Sequence, residues 1–221
     1  MIAPAAGHAI TFGLGVGGGG TFPLSKYIQA APNSSSYSLS SVKNGPGWSL
    51  HAELLLIGME IRYTWQVFTW KEIKDKAGNN ISTSGMPWLQ FHSITLGYRW
   101  YLVKKAFKLY LPIGGGATFV TFNDVKKLKG QYGGTLYAGL EMEYEVVKHF
   151  TIGLGARYNF YITNQPSDIV KGKIADRLEE KYKNIDPTNP PTDFSVSNVK
   201  VKDVIATFHS ITANLTLTLS F

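Results

Sequence analysis

The sequence predicts an all-β chain: an eight-stranded antiparallel up-and-down transmembrane β-barrel, with a short helix in the last extracellular loop. Three observations predict it. Residues 205–221, IATFHSITANLTLTLSF, alternate strictly. Ile205, Thr207, His209, Ile211, Ala213, Leu215, Leu217, Leu219 and Phe221 share one face, with the small polar Ser210, Thr212, Asn214, Thr216, Thr218 and Ser220 between them. That period makes a strand with one greasy and one wet face, and it outlasts the roughly five or six residues usual in soluble sheets. Second, no run approaches the ~20 apolar residues of a membrane helix. A chain that still crosses a membrane must close a barrel, because open sheet edges find no partners in lipid. Third, the connections run long, short, long, short, long, short, long. An up-and-down barrel gives that rhythm, with tight periplasmic turns, long extracellular loops and both termini in the periplasm.

The first strand spans about residues 8–20. Ile10, Phe12, Leu14 and Val16 face out; Thr11, Gly13, Gly15 and Gly17 face in. The run GLGVGGGG suggests a phosphate loop, but it lies within the alternation and no helical pattern follows it. Glycine on the inner face instead makes room for bulky side chains across a narrow lumen. A loop follows over residues 21–46. The second strand, about 47–55, turns Trp48, Leu50, Ala52 and Leu54 out and Ser49, His51 and Glu53 in. After a tight turn near residues 56–58, the third strand places Met59, Ile61, Tyr63, Trp65 and Val67 outside and Glu60, Arg62, Thr64 and Gln66 inside.

Residues 71–87 form the second loop, with the turn signal Gly78-Asn79-Asn80. The fourth strand, 88–102, turns Ile94, Leu96, Tyr98 and Trp100 out and Ser93, Thr95, Gly97 and Arg99 in. A short basic turn at 103–106 leads to the fifth strand, 107–122, where Pro112 should force a bulge or local irregularity because it has no N–H for the ladder. The loop at 123–130 precedes the sixth strand, 131–146, with Tyr137, Glu141, Glu143 and Glu145 inside. A turn at 147–148 gives the seventh strand, about 149–162, with Arg157, Asn159 and Tyr161 inside. In the last loop, 164–202, Val170, Ile174, Leu178 and Tyr182 recur every four residues as an apolar stripe. That stripe predicts a helix lying over the barrel mouth or offering a docking surface.

Composition sets limits on function. Cysteine is absent, which excludes a disulfide framework and thiolate metal sites. The net charge of +7 suggests nucleic acid, but the lysines form no compact basic element with stacking aromatics. Several fall in predicted loops (Lys71, Lys74, Lys76, Lys126, Lys127, Lys129), where an outer surface would set them against lipopolysaccharide phosphates. Residues 1–10 carry no charged segment followed by an apolar one, so the sequence reads as the mature form of an exported protein.

The inward charges are the main candidate site: Glu53, Glu60, Glu141, Glu143 and Glu145 against Arg62, Arg99 and Arg157. In a narrow lumen they are expected to pair, because buried charge needs a partner. FHSIT occurs twice, at residues 91–95 and 208–212, with His92 and His209 outward near the outer headgroups. They read first as interfacial residues in a coincidental repeat; lipid-headgroup contact and a metal pair are the functional alternatives, and strands on opposite sides argue against a shared metal. Ser49, His51 and Glu53 share the inner face, but neighbours two apart on a strand lie ~7 Å from each other, too far for a nucleophile–base pair. No cofactor is expected.

The closing strand and its aromatic end resemble the terminal signal of bacterial outer-membrane barrels. The whole-chain pattern resembles the OmpA/OmpX-type barrels and the outer membrane protein beta-barrel domain family. The resemblance implies that the barrel-assembly machinery reads residues 213–221, with Leu215, Leu217, Leu219 and Phe221 as the signal. It also implies an outer-membrane location among lipid and lipopolysaccharide. The expected role is a non-enzymatic structural or interaction subunit that can engage another envelope protein. The alternatives are a transporter of a small apolar compound through a lateral opening and a lipid A-modifying enzyme.

Overall fold

The computed structural model describes residues 12–25, 39–75, 80–81, 83, 88–122, 131–163 and 207–221. Its strands are β1 (Phe12–Pro23), β2 (Leu39–Leu56), β3 (Met59–Asp75), β4 (Asn80–Ile81), β5 (Leu89–Lys104), β6 (Phe107–Phe122), β7 (Gln131–Val147), β8 (Phe150–Thr163) and β9 (Thr207–Ser220). The order β2-β1-β9-β8-β7-β6-β5-β3 closes through a β2–β3 pairing, and β4 adds only to β3. Eight antiparallel strands therefore form a closed wall without an edge.

Alternation sorts the side chains. Arg99 is 1% exposed and its neighbour Trp100 is 63% exposed. Leu14, Val16, Ile94, Leu96, Leu136, Leu154 and Leu215 stand exposed on the outside, and the buried set is mostly polar. This inverts a soluble protein. Apolar exposure on this scale requires a nonaqueous surrounding.

Two-residue turns join the strands at one end. At Ile57 and Gly58, φ is 51° and 81°, the left-handed pair of a type I′ hairpin turn. His149, in the turn between β7 and β8, also has positive φ. The bottom of β9 lies at this same end: Ser220 N–H donates to His149 O at 2.8 Å, and Phe221 N–H to Phe12 O at 2.7 Å.

Three boundaries differ from expectation. β1 runs on to Pro23, and β2 begins at Leu39, so much of the loop placed at 21–46 is strand. Register shifts between Leu39 and Ser41, Lys43 and Asn44, and Asn44 and Gly47 let the ladder pass Pro46. β3 continues to Asp75 and takes Asn80–Ile81 as a partner, so the loop placed at 71–87 is partly a ribbon above the wall. The register passes Pro112 without slipping, but the β6–β7 ladder leaves Leu111 and Pro112 unpaired and resumes at Ile113. The slip in β5–β6 falls instead between Tyr101 and Val103. The helix placed on Val170, Ile174, Leu178 and Tyr182 lies outside the described residues, as do loops 123–130 and 164–202.

Candidate functional site

The lumen is filled in two layers. The lower one is ionic. Arg99 on β5 donates from Nε to Glu60 Oε2 at 2.9 Å, from Nη1 to Glu143 Oε1 at 2.6 Å and from Nη2 to Glu53 Oε1 at 2.6 Å. Arg157 on β8 donates from Nη1 to Glu60 Oε1 at 2.5 Å and from Nη2 to Glu141 Oε2 at 3.1 Å, with Nε on Glu141 Oε1 as well. Arg62 pairs with Glu53, directly opposite it in the β2–β3 register. Guanidinium forks suit this site because each can bind several carboxylate oxygens at fixed angles. Tyr137 Oη donates to Glu60 Oε1 at 2.6 Å, and Tyr110 Oη lies within 2.9 Å of Glu141 and 2.7 Å of Glu143. The same tyrosine rings lie under the Arg157 and Arg99 guanidiniums, at 4.8 and 4.7 Å.

Four carboxylates meet three guanidiniums. Lys108, with Nζ 3.7 Å from Glu143 Oε2, supplies the fourth positive charge. It was not singled out from the sequence, although its parity on β6 matches that of Tyr110. Glu145 does not join. It is only half-buried, and no side-chain partner is recorded for it among the described residues. It stands two residues nearer the turn than Glu143, at the barrel rim, where water can solvate it. Glycine makes the room. A Cβ at Gly15 would lie 2.7 Å from Glu53 Cγ, and one at Gly155 would press into Glu141.

The upper layer is aromatic. Phe68, Phe91, Phe208 and Tyr161 are buried. Phe91 stacks on Phe208 at 5.0 Å, and Phe68 meets both edge-on, at 5.7 and 5.0 Å. Tyr161 Oη bonds to Gln66 Oε1, and Gln66 Nε2 donates to Thr212 Oγ1 at 2.7 Å. These phenylalanines have the inward parity of their strands, which is the signal that could have marked them. Between the layers is a cavity of ≈ 20 Å³, lined by His51, Arg62 and Asn214 among others, enough for about one water.

The remaining sequence candidates separate. Ser49 Oγ lies 3.5 Å from Gly19 O, His51 Nε2 lies 3.1 Å from Thr216 Oγ1, and Glu53 is held by Arg62 and Arg99. The three form no relay. Leu215, Leu217 and Leu219 face outward on β9, and the Phe221 ring sits 6.1 Å from Phe12 across the closing seam.

No family model matches the sequence, and no curated protein does. Among solved structures, the Neisserial surface protein A, NspA, is similar at 11% identity over 96% of this chain and 97% of its own, with a TM-score of 0.50. The Pseudomonas aeruginosa outer membrane protein OprG aligns at 12% identity over 96% of each chain, with a TM-score of 0.48. The fold is that of an eight-stranded outer-membrane barrel. An eight-strand wall leaves an interior that side chains alone can fill, and the two layers above show how this barrel fills it.

Proposed function

We propose that this barrel is a non-enzymatic subunit of the bacterial outer membrane that acts through its outer surface and its lipid-facing wall. The observation that supports this is the double closure of the lumen by a charge-balanced ion-pair layer beneath a stacked aromatic layer. A pore would leave a hydrated path, and here the central positions are occupied by arginine forks and phenylalanine rings. The turn-bearing end faces the periplasm, with the β2–β3 ribbon outside. The barrel-assembly machinery reads Leu215, Leu217, Leu219 and Phe221 before the β1–β9 seam closes. Lipid and lipopolysaccharide surround the wall, and the outer surface meets another envelope protein. The test is planar-bilayer recording of the intact protein: a silent membrane is expected, and a steady ion-selective conductance overturns the reading.

One feature favours the lateral-opening alternative. The β6–β7 seam lacks pairing at Leu111 and Pro112. An apolar groove of ≈ 260 Å³ lies outside the same pair of strands and β8, lined by Phe107, Met142, Tyr144, Val146, Ile152 and Leu154, with Glu143 at its inner side. A cysteine cross-link between β6 and β7 beside this gap separates the two readings: it blocks uptake of a small apolar compound only if the seam opens.

A further inference from the structure

The repeated FHSIT carries its partners with it. On β3 and β5 the register gives Arg62↔Thr95, Tyr63↔Ile94, Trp65↔His92 and Gln66↔Phe91. On β8 and β9 it gives Arg157↔Thr212, Tyr158↔Ile211, Phe160↔His209 and Tyr161↔Phe208. In the closed order, β8 stands four strands from β3 and β9 stands four from β5, half of an eight-strand circle. The two units are thus related by a local twofold rotation about the barrel axis. Equivalent residues meet where such an axis passes. Phe91 stacks on Phe208 with ring planes 11° apart, Gln66 bonds to Tyr161, and Arg62 and Arg157 both approach Glu60 and Glu141.

On the outside, each unit presents the same group. Tyr63 Oη lies 2.9 Å from His92 Nδ1, and the Trp65 ring stacks on that imidazole at 12°. Tyr158 Oη bonds to His209 Nδ1, and the Phe160 ring lies 4.7 Å from it. In the tautomer in which each phenol donates to Nδ1, the ring proton sits on Nε2. Neither Nε2 has a partner among the described residues. His92 also belongs to a chain of rings, Trp48–Trp65–His92–Phe119–Tyr132, that crosses five strands on the outside. Aromatic girdles of this kind sit at the membrane–water interface, the depth of the carbonyl groups that join acyl chains to lipid headgroups.

We infer that the barrel carries two equivalent lipid sites on opposite walls, in which His92 Nε2 and His209 Nε2 each donate to an acyl-linkage carbonyl of an outer-leaflet lipid. The proposal rests on the membrane reading above. It gives the duplication a physical purpose: two donors at one height on opposite walls hold the barrel upright as well as at depth. Tyrosine and the neighbouring ring, stacked at His92 and tilted at His209, hold the imidazole so that little freedom is lost when the lipid oxygen binds.

The test compares refolding into vesicles of ester-linked phosphatidylcholine and of its ether-linked counterpart, which keeps the phosphate and the chains but lacks the carbonyls. Urea unfolding should show the wild-type folding equilibrium weakened in ether lipid by about threefold per site, the scale of one modest hydrogen bond. His92→Phe and His209→Phe should each remove half of that response on a logarithmic scale, and His92→Gln, which keeps a donor, should retain it. Either single variant is informative if the double variant does not refold. An unchanged ester–ether difference in both variants overturns the proposal, as does one site carrying the whole response. Failure of the wild type to insert into either lipid overturns the membrane reading instead.

Discussion

Arg157 on β8 reaches across the lumen to Glu60 on β3 and binds it with both terminal nitrogens, Nη1 at 2.5 Å from Oε1 and Nη2 at 3.1 Å from Oε2. The two strands stand on opposite sides of the wall, so this fork ties the barrel across its diameter. Truncating one partner of such a pair strands a buried carboxylate. Arg157→Ala should therefore cost about 3–5 kcal/mol. Lys71→Ala, on the exposed ribbon, should stay within about 0.5 kcal/mol. Urea titration followed by heat-modifiable gel mobility measures both, and equal midpoints would contradict the placement of Arg157 in a desolvated network.

The two layers make a joint prediction for conductance. Phe208→Ala removes a ring that stacks on Phe91 and meets Phe68, at about 3–5 kcal/mol for a large-to-small change in a packed core. The variant should still be silent in a planar bilayer, because the arginine layer below remains. Arg157→Ala should likewise stay silent, because the rings above remain. Only the double variant should conduct. A channel in either single variant would show that one layer alone closes the barrel.

Much of this was legible because a strand has a period of two. Once one residue is assigned outward, every neighbour follows, and Arg62, Arg99 and Arg157 fall inside without any structure. What alternation does not contain is height. Glu143 and Glu145 have the same parity, but only Glu143 comes within reach of Arg99, at 2.6 Å. The same gap hid Lys108. Phe68, Phe91 and Phe208 were legible by parity, but Phe91 and Phe208 stand at the starts of β5 and β9, where apolar residues read as transition into loop. The extension of β2 to Leu39 was not legible, because Asn44, Gly45 and Pro46 are loop signals and bulges carry the ladder past them.

Outside the membrane-spanning wall, one acid is set for a pH test. Close pairing with Lys43, Nζ to Oε1 at 2.9 Å, holds the Glu72 carboxyl below the ordinary glutamate value; desolvation acts against it, and the charges of Lys43 and Lys74 add to the lowering. A depressed folded-state pKa means that the ion pair's contribution is fully present above the ordinary glutamate value and is lost as pH falls through the lowered one. The difference in ribbon order between wild type and Glu72→Gln should thus be largest near neutral pH and vanish in acid. It should also shrink in high salt, because exposed pairs are screened. Carboxyl NMR of Glu72 in micelles reads the titration directly. Lys43→Ala should move it upward, and an unmoved curve would remove Lys43 as the cause.

The turn between β2 and β3 carries a cost that a substitution can relieve. Ile57 and Gly58 are its two central residues, closed by the Leu56↔Met59 pair, and both have positive φ. Glycine takes this region freely, and asparagine tolerates it. A β-branched side chain does not, because its Cβ crowds the following carbonyl, at about 1–2 kcal/mol for a residue in the left-handed region. Asn-Gly is the preferred pair for a type I′ hairpin turn. Opposing the change, Ile57 is an apolar side chain at the end of the lipid-facing wall, but it is already 58% exposed, so little burial is forfeited. The backbone term should win, and Ile57→Asn should raise barrel stability by about 1 kcal/mol. Gly58→Ala should lower it: φ is 81° there, and a Cβ would stand 3.3 Å from the Tyr98 ring. Unfolding midpoints in one detergent and one lipid separate the two terms. A gain in detergent that reverses in lipid would show that Ile57 anchors the turn in the membrane interface and that anchoring outweighs strain.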